Sequence, residues 1–180
     1  MKVLKGIILV LASVLILWMV VAAFISGDCV YEKSISINAP TETVWHQTNT
    51  LKAMDQWSPW NDLDPGMKKD WSGTTGQIGE KVCWDSQKEA AGKGCQEIKK
   101  IDAAGKRIDT DIQFLTPYKS EAHTYVKIIP EGSGSKVTWG FISKIPYPFT
   151  VMKMFTNMEG AIGKDYQKGL SRLKELSEKP

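Results

Sequence analysis

The chain has 180 residues, 42% apolar and 24% charged, with 23 basic side chains against 20 acidic and a net charge of +3. With Lys2 and Lys5 set aside the remainder is almost neutral, which excludes the basic footprint of a nucleic-acid binder. No tract is of low complexity, so most of the chain is expected to fold around one core rather than stay disordered.

Residues 7–25 carry no charged side chain and one hydroxyl, Ser13. As a helix this stretch spans about 28 Å, close to the hydrocarbon thickness of a bilayer. Lys2 and Lys5 precede it, so the positive-inside rule predicts a single-pass anchor with its N-terminus in the cytoplasm. The following domain then lies on the extracytoplasmic side, in the periplasm if the membrane is a bacterial inner membrane. Two other readings are open. A cleaved signal peptide could use Val21-Ala22-Ala23, although the apolar run continues through Phe24 and Ile25. A lipoprotein would use Cys29, although Asp28 fits poorly before it. The division expected is an anchor at 1–27 and a domain at 28–180.

Residues 31–37 alternate in polarity and predict a first strand, which Asn38-Ala39-Pro40 ends. Pro40 or Thr41 opens a short helix with Val44 and Trp45 on its buried side. Pro and Gly interrupt Trp57-Ser58-Pro59-Trp60 and the residues after it, so neither regular helix nor strand is expected there. Strands follow at 78–84, 94–101, 107–115, 122–129 and 136–143, with turn signals between them, and predict an antiparallel meander. From Phe149 apolar residues recur at spacings of three and four: Val151, Met154, Phe155, Met158, Ile162, Tyr166, Leu170 and Leu173. That pattern predicts one long helix to about Glu178, with Gly160, Gly163 and Gly169 inside it for close approach to the sheet. A curved antiparallel sheet wrapped around a long C-terminal helix would bury both apolar faces and leave room for a cavity between them.

Cys83 and Cys95 flank a polar stretch that reads as a hairpin, which would put them opposite each other. A cross-strand disulfide and two separate buried thiols both fit, and an exported compartment would permit the bond. The cysteines and the two distant histidines lack zinc-ligand spacing. No phosphate loop, dinucleotide fingerprint or metal motif is present, so no cofactor or metal is expected. Asp109, Asp111 and Gln113 share one strand face. The two carboxylates could serve acid–base chemistry if buried, and are merely polar on a solvated face. His46 and His123 show no nucleophile partner in the sequence.

Several segments together carry a family resemblance. They are Ile35-Ser36-Ile37-Asn38-Ala39-Pro40 with Val44-Trp45, then Trp57-Ser58-Pro59-Trp60, Gly92-Lys93-Gly94, Lys136-Val137-Thr138-Trp139 and the stretch from Ile162 to Leu170. Residues 31–177 resemble the START-like, or SRPBCC, superfamily, and within it the polyketide cyclase/dehydrase-like branch. The resemblance implies an α+β helix-grip fold that often holds a hydrophobic ligand, without fixing an activity. Cavity-lining candidates are Trp57, Trp60, Trp84, Trp139, Met154, Phe155, Met158 and Ile162, all aromatic or soft apolar side chains suited to a flexible apolar ligand. The expected partners are an apolar small molecule or lipid, and the membrane through residues 7–25. The function expected is a membrane-tethered binding domain. The alternatives are a cyclase or dehydratase working in the same cavity, or a protein-interaction domain whose cavity is filled.

Overall fold

The computed structural model describes residues 2–155 and 158–179, and side chains throughout these except at positions 2, 158, 159 and 161. Helix α1 (Lys2–Phe24) is apolar and almost entirely unburied. Its Val3–Phe24 stretch has a mean hydropathy of 3.0, and by length and composition it fits a membrane anchor or a signal sequence. Strand β1 (Asp28–Ile37) follows, then helices α2 (Thr41–His46) and α3 (Leu51–Trp57) and a 3-10 turn at Pro59–Asp62. The remaining strands are β2 (Lys68–Ser72), β3 (Lys81–Asp85), β4 (Lys93–Asp102), β5 (Arg107–Thr116), β6 (Ser120–Glu131) and β7 (Gly134–Lys144). A second 3-10 turn, Phe149–Met154, leads to helix α4 (Met158–Glu178).

All seven strands form one antiparallel sheet in the order β1-β7-β6-β5-β4-β3-β2. Strands β2 to β7 are a meander, and β1 returns to close the far edge against β7. Alternation sorts the side chains by face. On β5 and β6 the pairs Ile108–Val126, Thr110–Thr124 and Ile112–Ala122 point inward, while Asp109–Tyr125 and Asp111–His123 point outward. Tyr166, Leu170 and Leu173 of α4 meet Ile98, Ile108, Val126, Val137 and Trp139 of the sheet in the core, with α2 and α3 adding Val44, Trp45, Leu51, Met54 and Trp57. Glycine at position 169 is what lets α4 approach so closely. A Cβ there would come within 2.7 Å of the Trp139 ring.

Three elements differ from the sequence reading. Strand β2 was not anticipated: Lys68, Lys69 and Asp70 mask its alternation, and Trp71 is its one large apolar residue. Helix α3 is seven residues long and starts at an N-cap, Thr50, whose side chain accepts the Ala53 amide. The buried Glu80 carboxylate accepts the Leu51 amide at 3.1 Å and the Gly76 amide at 2.7 Å, tying α3 to the β2–β3 loop. The long helix expected from Phe149 is two pieces. The 3-10 turn buries Thr150 and Val151, and Thr150 bonds to α1, whereas α4 packs on the sheet. The spacing that reads as one stripe therefore serves two different surfaces.

Candidate ligand cavity

A cavity of about 340 Å³ lies between the inner face of the sheet, the first half of α4 and the segment 58–67. This is within the usual size of small-molecule sites. Strand alternation turns Trp84, Ile112, Phe114 and Phe141 into it, α4 supplies Ile162, and the first 3-10 turn supplies Trp60. The Trp84 ring lies flat over Gly94, where no Cβ would fit, and its Nε1 donates to the Ala91 carbonyl at 3.1 Å. Its position is thus fixed from below and from the side. Phe114 meets it edge-to-face at 6.1 Å.

The lining has a polar section as well. Lys69 Nζ donates to Asp55 Oδ1 at 2.5 Å and to Asn61 Oδ1 at 2.6 Å, and Asn61 Nδ2 donates to the Asp55 carbonyl at 2.7 Å. Gln96 donates to Thr110 Oγ1 at 2.9 Å, and Thr110 in turn pairs with Thr124. Tyr166 also lines the cavity; it is 1% exposed, and its hydroxyl has no hydrogen-bond partner among the described residues. Burial, and then the neighbouring Tyr31 and Tyr125, push its pKa above the ordinary tyrosine value, so it remains a neutral donor. An unsatisfied buried hydroxyl costs free energy. An aromatic wall with a few polar groups suits an amphipathic molecule.

The expected lining residues divide into three groups. Trp60, Trp84 and Ile162 line the cavity. Trp57 and Trp139 are instead core, at 1% and 4% exposed. Trp139 stacks on Tyr166 with centroids 3.9 Å apart, and Trp57 and Trp60 meet Trp139 edge-on at 4.8 and 5.4 Å. They form the support behind Trp60 and Tyr166. Met154 and Phe155 do not face the sheet; they are 66% and 78% exposed, because the 3-10 turn ends before α4 begins. The Met158 side chain lies outside the described residues. Sequence reasoning missed Phe114, Phe141 and the Lys69 cluster. The two phenylalanines sit on correctly read strands whose inward face could have been followed, whereas Lys69 belongs to the unread β2.

Cys83 and Cys95 are direct partners across β3 and β4 and are joined by a disulfide; Cys29 is a free thiol. On the outer face Arg107 grips Asp109 with two nitrogens, its Nη2 at 2.7 Å, and stacks 4.0 Å over the Tyr125 ring. His123 bridges Asp111 at 2.9 Å and Asp109 at 3.1 Å. Burial opposes ionisation of Asp109, but hydrogen bonds from Arg107 and His123 outweigh it and hold the carboxyl below its ordinary range. Tyr125 is pushed up to about 12, by burial and by its hydrogen bond to Glu32. This carboxylate–histidine group faces away from the cavity, and among the described residues no cluster could hold a metal ion.

An antiparallel sheet gripping a C-terminal helix, with an apolar cavity between them, defines a START-like helix-grip domain. The family model described as polyketide cyclase/dehydrase and lipid transport matches residues 28–178, and the chain belongs to that family. Solved structures share the fold at low identity. Ginseng major latex-like protein 151 from Panax ginseng has a TM-score of 0.58 at 12% identity, over 85% of this chain and 99% of its own. A Chromobacterium violaceum protein gives 0.59 at 15%, over 84% and 98%. A Rhizobium leguminosarum protein gives 0.61 at 15%, over 84% and 95%. At these identities the likeness speaks for the fold alone. No curated protein matches the chain.

Proposed function

We propose that this chain is a membrane-tethered carrier or receptor domain that holds an apolar or amphipathic small molecule, such as a lipid, in the cavity between the sheet and α4. The observation that carries this reading is the cavity itself: Trp60, Trp84, Phe114, Phe141 and Ile162 form an apolar wall, and the Lys69 cluster adds a polar section. Family membership supports a hydrophobic ligand. The enzymatic alternative needs a free acid–base pair inside the cavity. Asp55 is engaged by Lys69, the other lining carboxylates, Glu89 and Asp165, have no histidine beside them in the lining, and the His123 group is on the opposite face. Tethering fits the same reading, because it keeps the binding domain at the surface where apolar molecules are concentrated.

The test is titration of the full chain in lipid nanodiscs with the apolar fluorophore N-phenyl-1-naphthylamine. Saturable binding above the lipid background is expected, weakened severalfold by Trp60→Ala. Trp60 is half-buried, so this variant should stay folded; Trp57→Ala removes a buried side chain and should cost about 3–5 kcal/mol of stability. No saturable binding to the wild type, with a large stability loss in both variants, would favour a filled core and the protein-interaction reading.

A further inference from the structure

The segment between β7 and α4 has two sides. Its inner side holds the end of α1 and the link to β1: Thr150 donates to the Ala22 carbonyl at 2.8 Å, and Lys153 Nζ reaches the carbonyls of Ser26 and Asp28 at 3.0 and 2.7 Å. From α1, Trp18 Nε1 donates to the Pro148 carbonyl at 3.1 Å, and Tyr147 donates back to the Met19 carbonyl at 3.3 Å. Its outer side is open and apolar. Phe149 is 54% exposed, Met154 66% and Phe155 78%, and Phe24 at the end of α1 is 86% exposed.

We propose that this segment is a second membrane contact, a foot that rests in the interfacial layer of the leaflet from which α1 emerges. The inference rests on the reading of α1 as a membrane-spanning helix. Depth is the first argument. Trp18 and Met19 lie inside the apolar stretch, and Trp18 is about 9 Å along the helix axis from Phe24. Groups bonded to them share their depth, so the Pro148 carbonyl and the Tyr147 hydroxyl are drawn to the level of the last turns of the span. Trp18 and Tyr147 are also the residue types that favour that layer. Chemistry is the second argument. A run of exposed phenylalanine and methionine is costly in water and marks a contact surface, and the medium already around α1 supplies the occupant.

The strand register adds a third. Asp28 pairs with Lys144, Ala122 with Ser143, and Ser120 with Phe114, so the β5–β6 turn is at the sheet end where α1 joins. That turn carries Tyr118, 82% exposed, with Lys119 beside it and Lys144 nearby, both exposed. Lysines at this level would meet lipid phosphates. The turn residues Thr116 and Pro117 also border the cavity. A molecule could then pass between bilayer and cavity without crossing bulk water.

The test uses the full chain in nanodiscs of phosphatidylethanolamine and phosphatidylglycerol. Single nitroxide labels are placed at Phe149→Cys, Phe155→Cys, Leu11→Cys and Ile78→Cys in a Cys29→Ser background. Leu11 is mid-α1, and Ile78 is an exposed residue in the loop before β3. Relative collision rates with oxygen and with a water-soluble nickel chelate report depth, whether or not the cavity is filled. The expected result is an oxygen-to-nickel ratio at Phe149 and Phe155 severalfold above that at Ile78 and below that at mid-span Leu11. A Phe155 label as nickel-accessible as Ile78, with Leu11 immersed, overturns the foot and leaves the ligand reading standing. A nickel-accessible Leu11 overturns the anchor and the foot with it.

Discussion

Asp109 is 6% exposed, yet it is ionised because Arg107 and His123 together donate more than burial takes away. A carboxyl whose folded pKa is depressed contributes stability above its unfolded value, near 4, and loses it as pH falls through the lower folded value. Asp109→Asn abolishes that contribution and leaves Arg107 with a weaker partner. At pH 7 the variant is expected to be less stable than wild type by about 1–3 kcal/mol, the worth of hydrogen bonds to a charged group. The gap should narrow as pH drops below about 4, where the unfolded carboxyl takes up its proton first, and close as pH passes the lower folded value, where the folded carboxyl is protonated too. Urea unfolding at pH 7 and at pH 2.5 reads both numbers, and an equal gap at the two pH values would sink the argument. The sequence put Asp109 and Asp111 on one face but not His123 beside them. Their pairing depends on the β5–β6 register, which places Asp111 opposite His123 across the intervening turn.

At the scale of elements, what was readable tracks how cleanly a segment alternates. Strands β5 to β7 alternate inward apolar or hydroxyl residues with outward polar ones, and Gly or Pro turn signals also bound β4, so all four could be read directly. Strand β2 could not, because an edge strand tolerates charge and Lys69 turns its ammonium into a polar cluster instead of solvent. The break between Phe149 and Met158 was unreadable for a different reason: a 3-10 turn and an α-helix both place apolar residues three apart, and only contact with α1 separates them. The β3–β4 hairpin was legible as a turn, with its two cysteines opposed. The disulfide across it closes a loop of twelve residues. Its removal by Cys83→Ser with Cys95→Ser is expected to cost about 1–3 kcal/mol, somewhat under the loop-entropy value because the strand ladder already restrains the hairpin. Probe affinity should fall as well, since Ala90 and Ala91 of that turn border the cavity. Denatured protein should label at one thiol without reductant and at all three after reduction. Three labelled thiols before reduction would remove the bond and the prediction with it.

At the scale of the whole molecule, the cavity was legible only as a consequence of the fold. The face of α4 that carries Ile162 and Tyr166 could be drawn from periodicity, but the separation of Trp60 at the cavity from Trp57 in the core depends on where α3 ends: Trp57 is its last residue, and Trp60 lies in the 3-10 turn beyond it. The contacts of α1 with the domain favour an anchor over a cleaved leader, a choice the sequence left open, and make it testable. Cleavage after Ala23 would remove Trp18, Met19 and Ala22, and with them three hydrogen bonds to the segment 147–150. It would also uncover the side of Thr150 and Val151 that the helix covers, both now at 5% exposed or less. Ala22 is itself 2% exposed and Gly27 is pressed against the Ile145 carbonyl, so the domain and the end of the helix are built as one piece. The expected outcome is a chain that stays with the membrane after alkaline carbonate washing and whose intact mass still includes α1, near 20.1 kDa. Lys2 and Lys5 predict which side the domain occupies, so protease added to the outer side of the cytoplasmic membrane should cut the Glu131–Gly134 turn while a label at Lys2 stays protected. A soluble species lighter by the whole of α1, or a domain protected until the membrane is dissolved, would defeat the tethered reading even if the cavity still bound its probe.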